Sequence, residues 1–318
     1  MTQRTGPNHP PLHPRHWVGW IALGLLRLSI LIPYPAQIVV GRFLGRLMRH
    51  LAGRRRRVAE YNVRVCFPEW DEARRRQLVR EHFEALGIAL FEIAMCWWAS
   101  DRRLRGLVAG VEGLEHLEKA LEKGKGAILL SAHFTPLEIG GRLLSLFHPF
   151  HLMYKPNPNE LLEWVSRNRR EAQFEKAIPR DSVREMLRSL RSNTPVWYAP
   201  DQGYVGANRV TVPFFGKPAP TNPATHRIAR ISGAPVLPYW VERLPGSRGY
   251  RLRIEEPVPG FADMSPEEDG QTVNALIEEQ ARRMPAQYLW THNRFKTTEH
   301  RKNEWRKRRK RKRRKEGA

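Results

Sequence analysis

"ILLSAHFTPLEIGG", residues 128–141, decides the fold. Its first residues are an apolar run too short for a helix, as expected of a strand buried on both faces. A lone histidine, His133, follows. Pro136 and Glu138 then suit the first turn of a helix, because proline is tolerated there and an acid complements the helix dipole. A buried strand entering a helix is the repeating unit of a layered α/β protein. Just upstream, "LEHLEKALEK" gives a helix over 114–123, closed by the Gly-Lys-Gly break of 124–126, and the strand itself spans 127–131.

The pattern repeats outward. Helical stretches over 182–192 and 222–233 precede strand-like runs over 195–201 and 234–242. An edge-type strand over 249–258 alternates Leu252 and Ile254, and a last helix over 270–284 stops before Pro285. Upstream, apolar positions between Ala73 and Trp98 follow helical spacing, giving one or two amphipathic helices. The expected fold is α/β, a central mixed sheet flanked by helices, forming one catalytic domain over 36–300. No internal repeat or inter-domain linker is evident between about 100 and 300.

The 318 residues and their 41% hydrophobic content suffice for a sizeable core. Against 32 acids stand 55 Lys and Arg, a net charge of +23, so the partners expected are anionic. The tail 301–318 holds twelve Lys or Arg against two Glu, a net +10, and reads as a disordered basic segment; the body is basic without it. Cys66 and Cys96 lie in apolar settings without metal-ligand spacing, so neither a disulfide framework nor a metal site is expected.

Near the N-terminus, "WVGWIALGLLRLSILI" (17–32) is apolar apart from Arg27 and ends at Pro33 and Pro35. As a helix it reaches roughly 24 Å, short of a hydrocarbon core of about 30 Å. Two readings stand for residues 1–35: a short spanning anchor, or a helix lying in the membrane interface with Arg27 snorkelling. A buried core helix fits the two tryptophans and the terminal position less well. Arg42, Arg46, Arg49 and the run Arg54–Arg57 follow, a basic cluster that suits anionic headgroups on the cytoplasmic side.

His133 falls just past a strand's carboxyl end, where α/β folds collect functional groups. Five residues apart on one helix, His133 and Glu138 would point about 140° from each other; they meet only if the histidine is in the loop and the acid in the first helical turn. Read structurally, they cap a strand and serve a helix start. Read chemically, Glu138 orients the imidazole and His133 removes a proton from a substrate hydroxyl. The "GxSxG" nucleophile motif is absent, so the simplest chemistry is direct attack by that hydroxyl on an activated acyl group.

With "SAHFTPLEIGG" come "MYKPNPNELLEWVSRNRR", "VWYAPDQGY", "VPFFGKPAPTNPATHRIARISGAPVLPYW" and "MPAQYLWTHNRFKT", in this order. Together they resemble the bacterial lipid A biosynthesis acyltransferases of lauroyl or myristoyl type, which belong to a wider H-x4-D/E superfamily. The resemblance runs from the apolar segment to about Thr298. It implies an inner-membrane enzyme, active on the cytoplasmic face, that moves a laurate- or myristate-length chain from acyl carrier protein to a hydroxyacyl chain of a Kdo-bearing lipid A precursor. No metal or redox cofactor is implied; acyl carrier protein is the donor, and anionic inner-leaflet lipids are partners. It also implies His133 as base, Glu138 as its partner, Arg170 as a phosphate-binding or oxyanion-polarising group, and Asp201 as an acid of the crevice. Phe214, Phe215 and Thr221 match a segment beside the acyl pocket.

The chain departs from the family in having Asn159-Glu160-Leu161 where Asn-Pro-Leu is usual, and in its basic tail. The alternative reading keeps the chemistry and changes the acceptor to another phospholipid or glycolipid. A nucleic-acid-binding role built on the tail leaves "HFTPLE" unexplained.

Overall fold

The fold is known from a computed structural model that describes residues 9–204, 206 and 208–295. The basic tail, 301–318, lies outside the described residues. The chain opens with helices α1 (Trp17–Leu28), α2 (Tyr34–Leu51), α3 (Gly53–Cys66), the long α4 (Glu72–Trp98) and α5 (Asp101–Arg105). Then β1 (Val108–Glu112), α6 (Leu114–Leu121), β2 (Ile128–Leu130), α7 (Leu137–Leu144), β3 (His151–Tyr154), α8 (Glu160–Gln173), β4 (Lys176–Pro179), α9 (Val183–Arg191) and β5 (Val196–Tyr198) alternate. A hairpin, β6 (Val210–Phe214) and β7 (Lys217–Thr221), precedes α10 (Ala224–Ser232), β8 (Val236–Arg243), β9 (Tyr250–Ile254) and α11 (Pro266–Arg283).

Among the described residues a seven-stranded sheet runs in the order β1-β9-β8-β2-β5-β3-β4. From β8 to β4 neighbouring strands are parallel; β9 is antiparallel to β8, and β1 parallel to β9. The mixed α/β architecture expected from the sequence is therefore observed. Side chains alternate across the pleat: Ile128, Leu130 and Val196 enter one core cluster, while Leu129, Trp197 and Leu237 enter the other. The apolar run of β2 is wholly buried because it faces both.

The glycine pair of the opening motif brings α7 directly onto the sheet. A Cβ on Gly140 would lie 2.5 Å from Val241 Cγ1, and one on Gly141 2.8 Å from the Trp197 ring. Close approach also joins α2 to α4, where Gly41 and Gly45 meet Gly87 so tightly that any side chain would enter the opposing backbone. The amphipathic stretch 73–98 is a single helix, N-capped by Asp71.

The spanning anchor is not found: no helix among the described residues is long and apolar enough to cross a membrane. The apolar run of 17–32 is broken, because α1 ends at Leu28 in a short 3-10 turn and Pro33 starts α2, which carries Arg42, Arg46 and Arg49. Nor is α1 a core helix, since Leu23 alone among its residues is buried. Leu23 packs with Leu161 and Val165 of α8. Outward-facing Trp17, Val18, Ile21, Leu25 and Leu28 are exposed on α1, as are Val39, Phe43, Leu47 and Leu51 on α2.

Candidate active site

β2 and β5 are parallel neighbours in which Leu130 pairs with Tyr198. Three residues past each strand end, at the carboxyl edge of the sheet, stand His133 and Asp201. The same register brings them together: His133 Nδ1 and Asp201 Oδ1 are 2.5 Å apart. Asp201 is buried, and the His133 side chain is about a quarter exposed (27%). The position beside Nδ1 thus belongs to Asp201, not to Glu138. With Nδ1–H donated to the carboxylate, Nε2 carries the free lone pair, the state a general base requires.

Burial disfavours the charged imidazole, but the charge and hydrogen bond of Asp201, with a smaller contribution from the Glu138 charge, outweigh it and raise the pKa of His133 above its ordinary value. Burial would likewise raise Asp201; the charge and hydrogen bond of His133, helped by the Arg294 charge, hold it below the usual carboxylate value. The pair is a basic imidazole backed by an ionised carboxylate.

Glu138 does sit in the first turn of α7, but its carboxylate turns to Arg170 of α8, with Oε1 accepting from Nη2 at 2.5 Å. Burial of Arg170 opposes its charge, yet Glu138 overcomes this and keeps the guanidinium firmly protonated. Arg170 also stands over the Tyr154 ring, 5.1 Å from its centre. Two carboxylates therefore serve two basic side chains: Asp201 holds the His133 ring, and Glu138 holds Arg170.

Phe214, Phe215 and Thr221 belong to the hairpin. Phe215 and Gly216 form its two-residue turn with φ of 50° and 68°, a left-handed pair of the kind that closes tight hairpins. Phe215 tolerates this because its N–H donates to Glu278 at 2.6 Å and its ring packs on Phe67 and Trp290. Phe214 lies against Tyr288. Thr221 Oγ1 accepts from Arg294 and from Asn274, so its hydroxyl is already engaged.

Several residues that hold the site escape a reading of the sequence. The backbone of 133–135 is stitched to 287–289: Leu289 N–H donates to His133 O at 2.9 Å and Thr135 N–H to Gln287 O at 2.7 Å. Beneath it, the buried Arg243 donates from Nη1 to Glu92 (2.8 Å) and from Nη2 to Thr135 Oγ1 (3.0 Å), while the Gln287 side chain spans the Arg243 N–H and carbonyl. Tyr250 donates to the same Glu92 oxygen. One ion pair thus ties α4, β8 and the His133 loop together. On the other side, Gly203 N–H donates to His292 Nε2 at 3.1 Å, and burial keeps His292 neutral by lowering its pKa to about 4. Asn62 of α3 donates to the carbonyls of Trp290 and His292, and buried Arg294 donates to Pro220 O. The "THNRF" segment acts here as a clamp on the loop after Asp201.

No group of His, Cys, Asp and Glu able to hold a metal ion occurs among the described residues. Cys66 and Cys96 are buried thiols whose pKa burial drives upward, so neither is an available nucleophile.

A histidine paired with a buried aspartate at the sheet edge of an α/β fold, with no serine or cysteine among the described residues hydrogen-bonded to its ring, suits an acyltransferase in which the acceptor attacks directly. The comparisons with known proteins give that class its substrate. The family model for bacterial lipid A biosynthesis acyltransferases matches residues 7–297. The lipid A biosynthesis palmitoleoyltransferase of Escherichia coli (strain K12) is 36% identical over 290 residues, covering 90% of this chain and 93% of the relative. Its lauroyltransferase is 35% identical over 292 residues, 90% and 94% of the two chains, and its myristoyltransferase 25% identical over 291 residues, 90% and 88%. The chain belongs to the bacterial lipid A biosynthesis acyltransferases, enzymes that transfer an acyl group onto lipid A.

Proposed function

We propose that the enzyme moves a laurate- or myristate-length acyl chain from its thioester on acyl carrier protein to a hydroxyl on a hydroxyacyl chain of a Kdo-bearing lipid A precursor. The observation that carries the mechanism is the His133–Asp201 pair with Nε2 free. Nε2 takes the proton as the acceptor hydroxyl oxygen bonds to the thioester carbon, and Asp201 stabilises the imidazolium that results. The tetrahedral intermediate then collapses, the carbon–sulfur bond breaks, and the proton passes from His133 to the departing thiolate. Arg170, held by Glu138, offers its remaining N–H groups to the developing oxyanion or to an acceptor phosphate. The hairpin bearing Phe214 and Phe215 packs against Tyr288, which bridges to Phe134 next to His133, and so suits a wall for the acyl chain.

The reaction is assigned to the cytoplasmic face of the inner membrane. Exposed apolar faces on α1 and α2, rimmed by Arg42 and Arg46, support docking by partial immersion among anionic headgroups rather than by spanning. The basic charge suits an acidic carrier protein as well.

The test is mass spectrometry of products from purified enzyme, laurate or myristate on acyl carrier protein, and tetra- or penta-acylated precursor. A gain of one acyl chain on either acceptor is expected. Modification of other lipids but neither precursor would reassign the acceptor.

A further inference from the structure

α1 and α8 meet on a regular ladder. Gly19 lies so near Leu161 that a Cβ would stand 2.5 Å from Leu161 Cδ2, and Leu23 packs with Leu161 and Val165. Four residues on along both helices from Leu23 and Val165 come Arg27 and Arg169, which helical periodicity puts on the same two faces. The two ends of the seam differ in charge. At the start, Arg15 pairs with Glu160 at 2.5 Å and His16 lies 3.4 Å from the same carboxylate. At the other end stand two cations, near enough that, after burial, the charge of Arg27 lowers the pKa of Arg169. Among the described residues neither Arg27 nor Arg169 has a carboxylate within ion-pair distance; Arg169 lies over the Trp98 ring, 5.8 Å from its centre.

Two guanidinium groups held together by the fold without an acid repel each other, and a bound anion relieves that repulsion. Their place indicates which anion. Arg169 is followed directly by Arg170, which holds Glu138 beside the catalytic histidine. The outward side of α1 presents Trp17, Ile21, Leu25 and Leu28. Arg27 thus borders the exposed apolar face of α1, and Arg169 precedes in sequence the arginine that holds Glu138, so an anion arriving there comes on a lipid. We infer that Arg27 and Arg169 form a phosphate-binding site beside the exposed apolar face of α1 that takes the phosphate of a lipid headgroup. The inference rests on the proposed lipid-surface reaction, and it adds a site distinct from Arg170.

Arg27→Glu tests it with effects of opposite sign. The new acid faces Arg169, so the melting temperature equals or exceeds that of Arg27→Gln, whereas binding to vesicles of phosphatidylcholine doped with phosphatidic acid falls by about tenfold. A merely structural role for Arg27 would lower both. In steady-state assays, a rise in KM for the phosphorylated acceptor that disappears after phosphatase treatment of the acceptor assigns the site to the acceptor's own phosphate. An equal loss with both acceptors assigns it to leaflet phospholipid. Relief of vesicle binding by millimolar inorganic phosphate in wild type but not in Arg27→Glu supports phosphate recognition in either case. Wild-type vesicle binding by both Arg27→Glu and Arg169→Gln, with unchanged KM, would overturn the inference. The vesicle and melting measurements need no acyl transfer. If the wild type fails to acylate lipid A precursors but Arg27→Glu still loses phosphatidate binding, the functional reading falls and the site stands.

Discussion

Replacing Asp201 by Asn keeps the size and one acceptor oxygen of the side chain and removes its charge. The cost follows from the geometry. His133 Nδ1 and Asp201 Oδ1 lie 2.5 Å apart, which puts the charge centres of an imidazolium and a carboxylate about 4 Å apart. At an effective dielectric of about 20 that attraction is worth roughly 4 kcal/mol, and each ~1.4 kcal/mol is a factor of ten in rate. A fall in kcat of about 10²–10³ is expected. The pH profile separates this effect from simple damage. A general base works in its neutral form, so the rate climbs as pH rises through the histidine pKa, which in wild type lies above 6.5. Without the carboxylate charge, burial becomes the controlling influence and the acid limb moves below 6.5. Glu138→Gln should shift the limb much less, because Glu138 bonds Arg170 and reaches His133 only by charge. The assay is kcat/KM against pH for the three proteins. A profile left unmoved by Asp201→Asn, or moved as far by Glu138→Gln, would refute the assignment of Asp201 as the carboxylate of the base.

Three further outcomes follow from the same geometry. Arg243→Met strands Glu92 in the core and should destabilise by about 3–5 kcal/mol in urea unfolding, with part of the loss recovered in the Glu92→Gln/Arg243→Met double variant. Thr135→Val, which removes only the hydroxyl that accepts from Arg243, should keep the fold and lower kcat more than it raises KM. The raised His133 stabilises the fold below its unfolded pKa of about 6.5 and loses this effect as pH rises through the folded value; the depressed Asp201 stabilises above about 3.9 and loses it as pH falls through the folded value. The melting-temperature gap between wild type and His133→Gln should therefore be widest between about pH 4 and 6.5.

The strands that carry the site were legible because burial on both faces leaves an uninterrupted apolar run, as in Ile128–Leu130 and Val236–Val241. β1, β3, β4, β6 and β7 were not. "HLMY" and "KAIP" are four-residue strands with mixed polarity, and "KPAPT" carries two prolines that argue against a strand. The helix expected over 270–284 begins earlier, at Pro266, where Ser265 and Glu268 form a reciprocal cap. His133 was visible from its place after a strand. Its partner was not, because the five-residue spacing to Glu138 draws attention to the wrong acid. The decisive relation is the register of β2 on β5: Leu130 to Tyr198 and His133 to Asp201 span the same 68 residues. Arg243, Glu92 and Gln287 lie beyond any local pattern, since 151 residues separate the two charges that meet.

The most direct test is a single-turnover comparison of wild type and His133→Ala with acyl carrier protein thioester and lipid A precursor, following acylated product by mass spectrometry and acceptor binding in parallel. If His133 is the base, product formation falls by about 10²–10⁴ while acceptor binding changes little. Product formation by His133→Ala at a near wild-type rate would contradict the direct-attack mechanism and leave the histidine a structural residue.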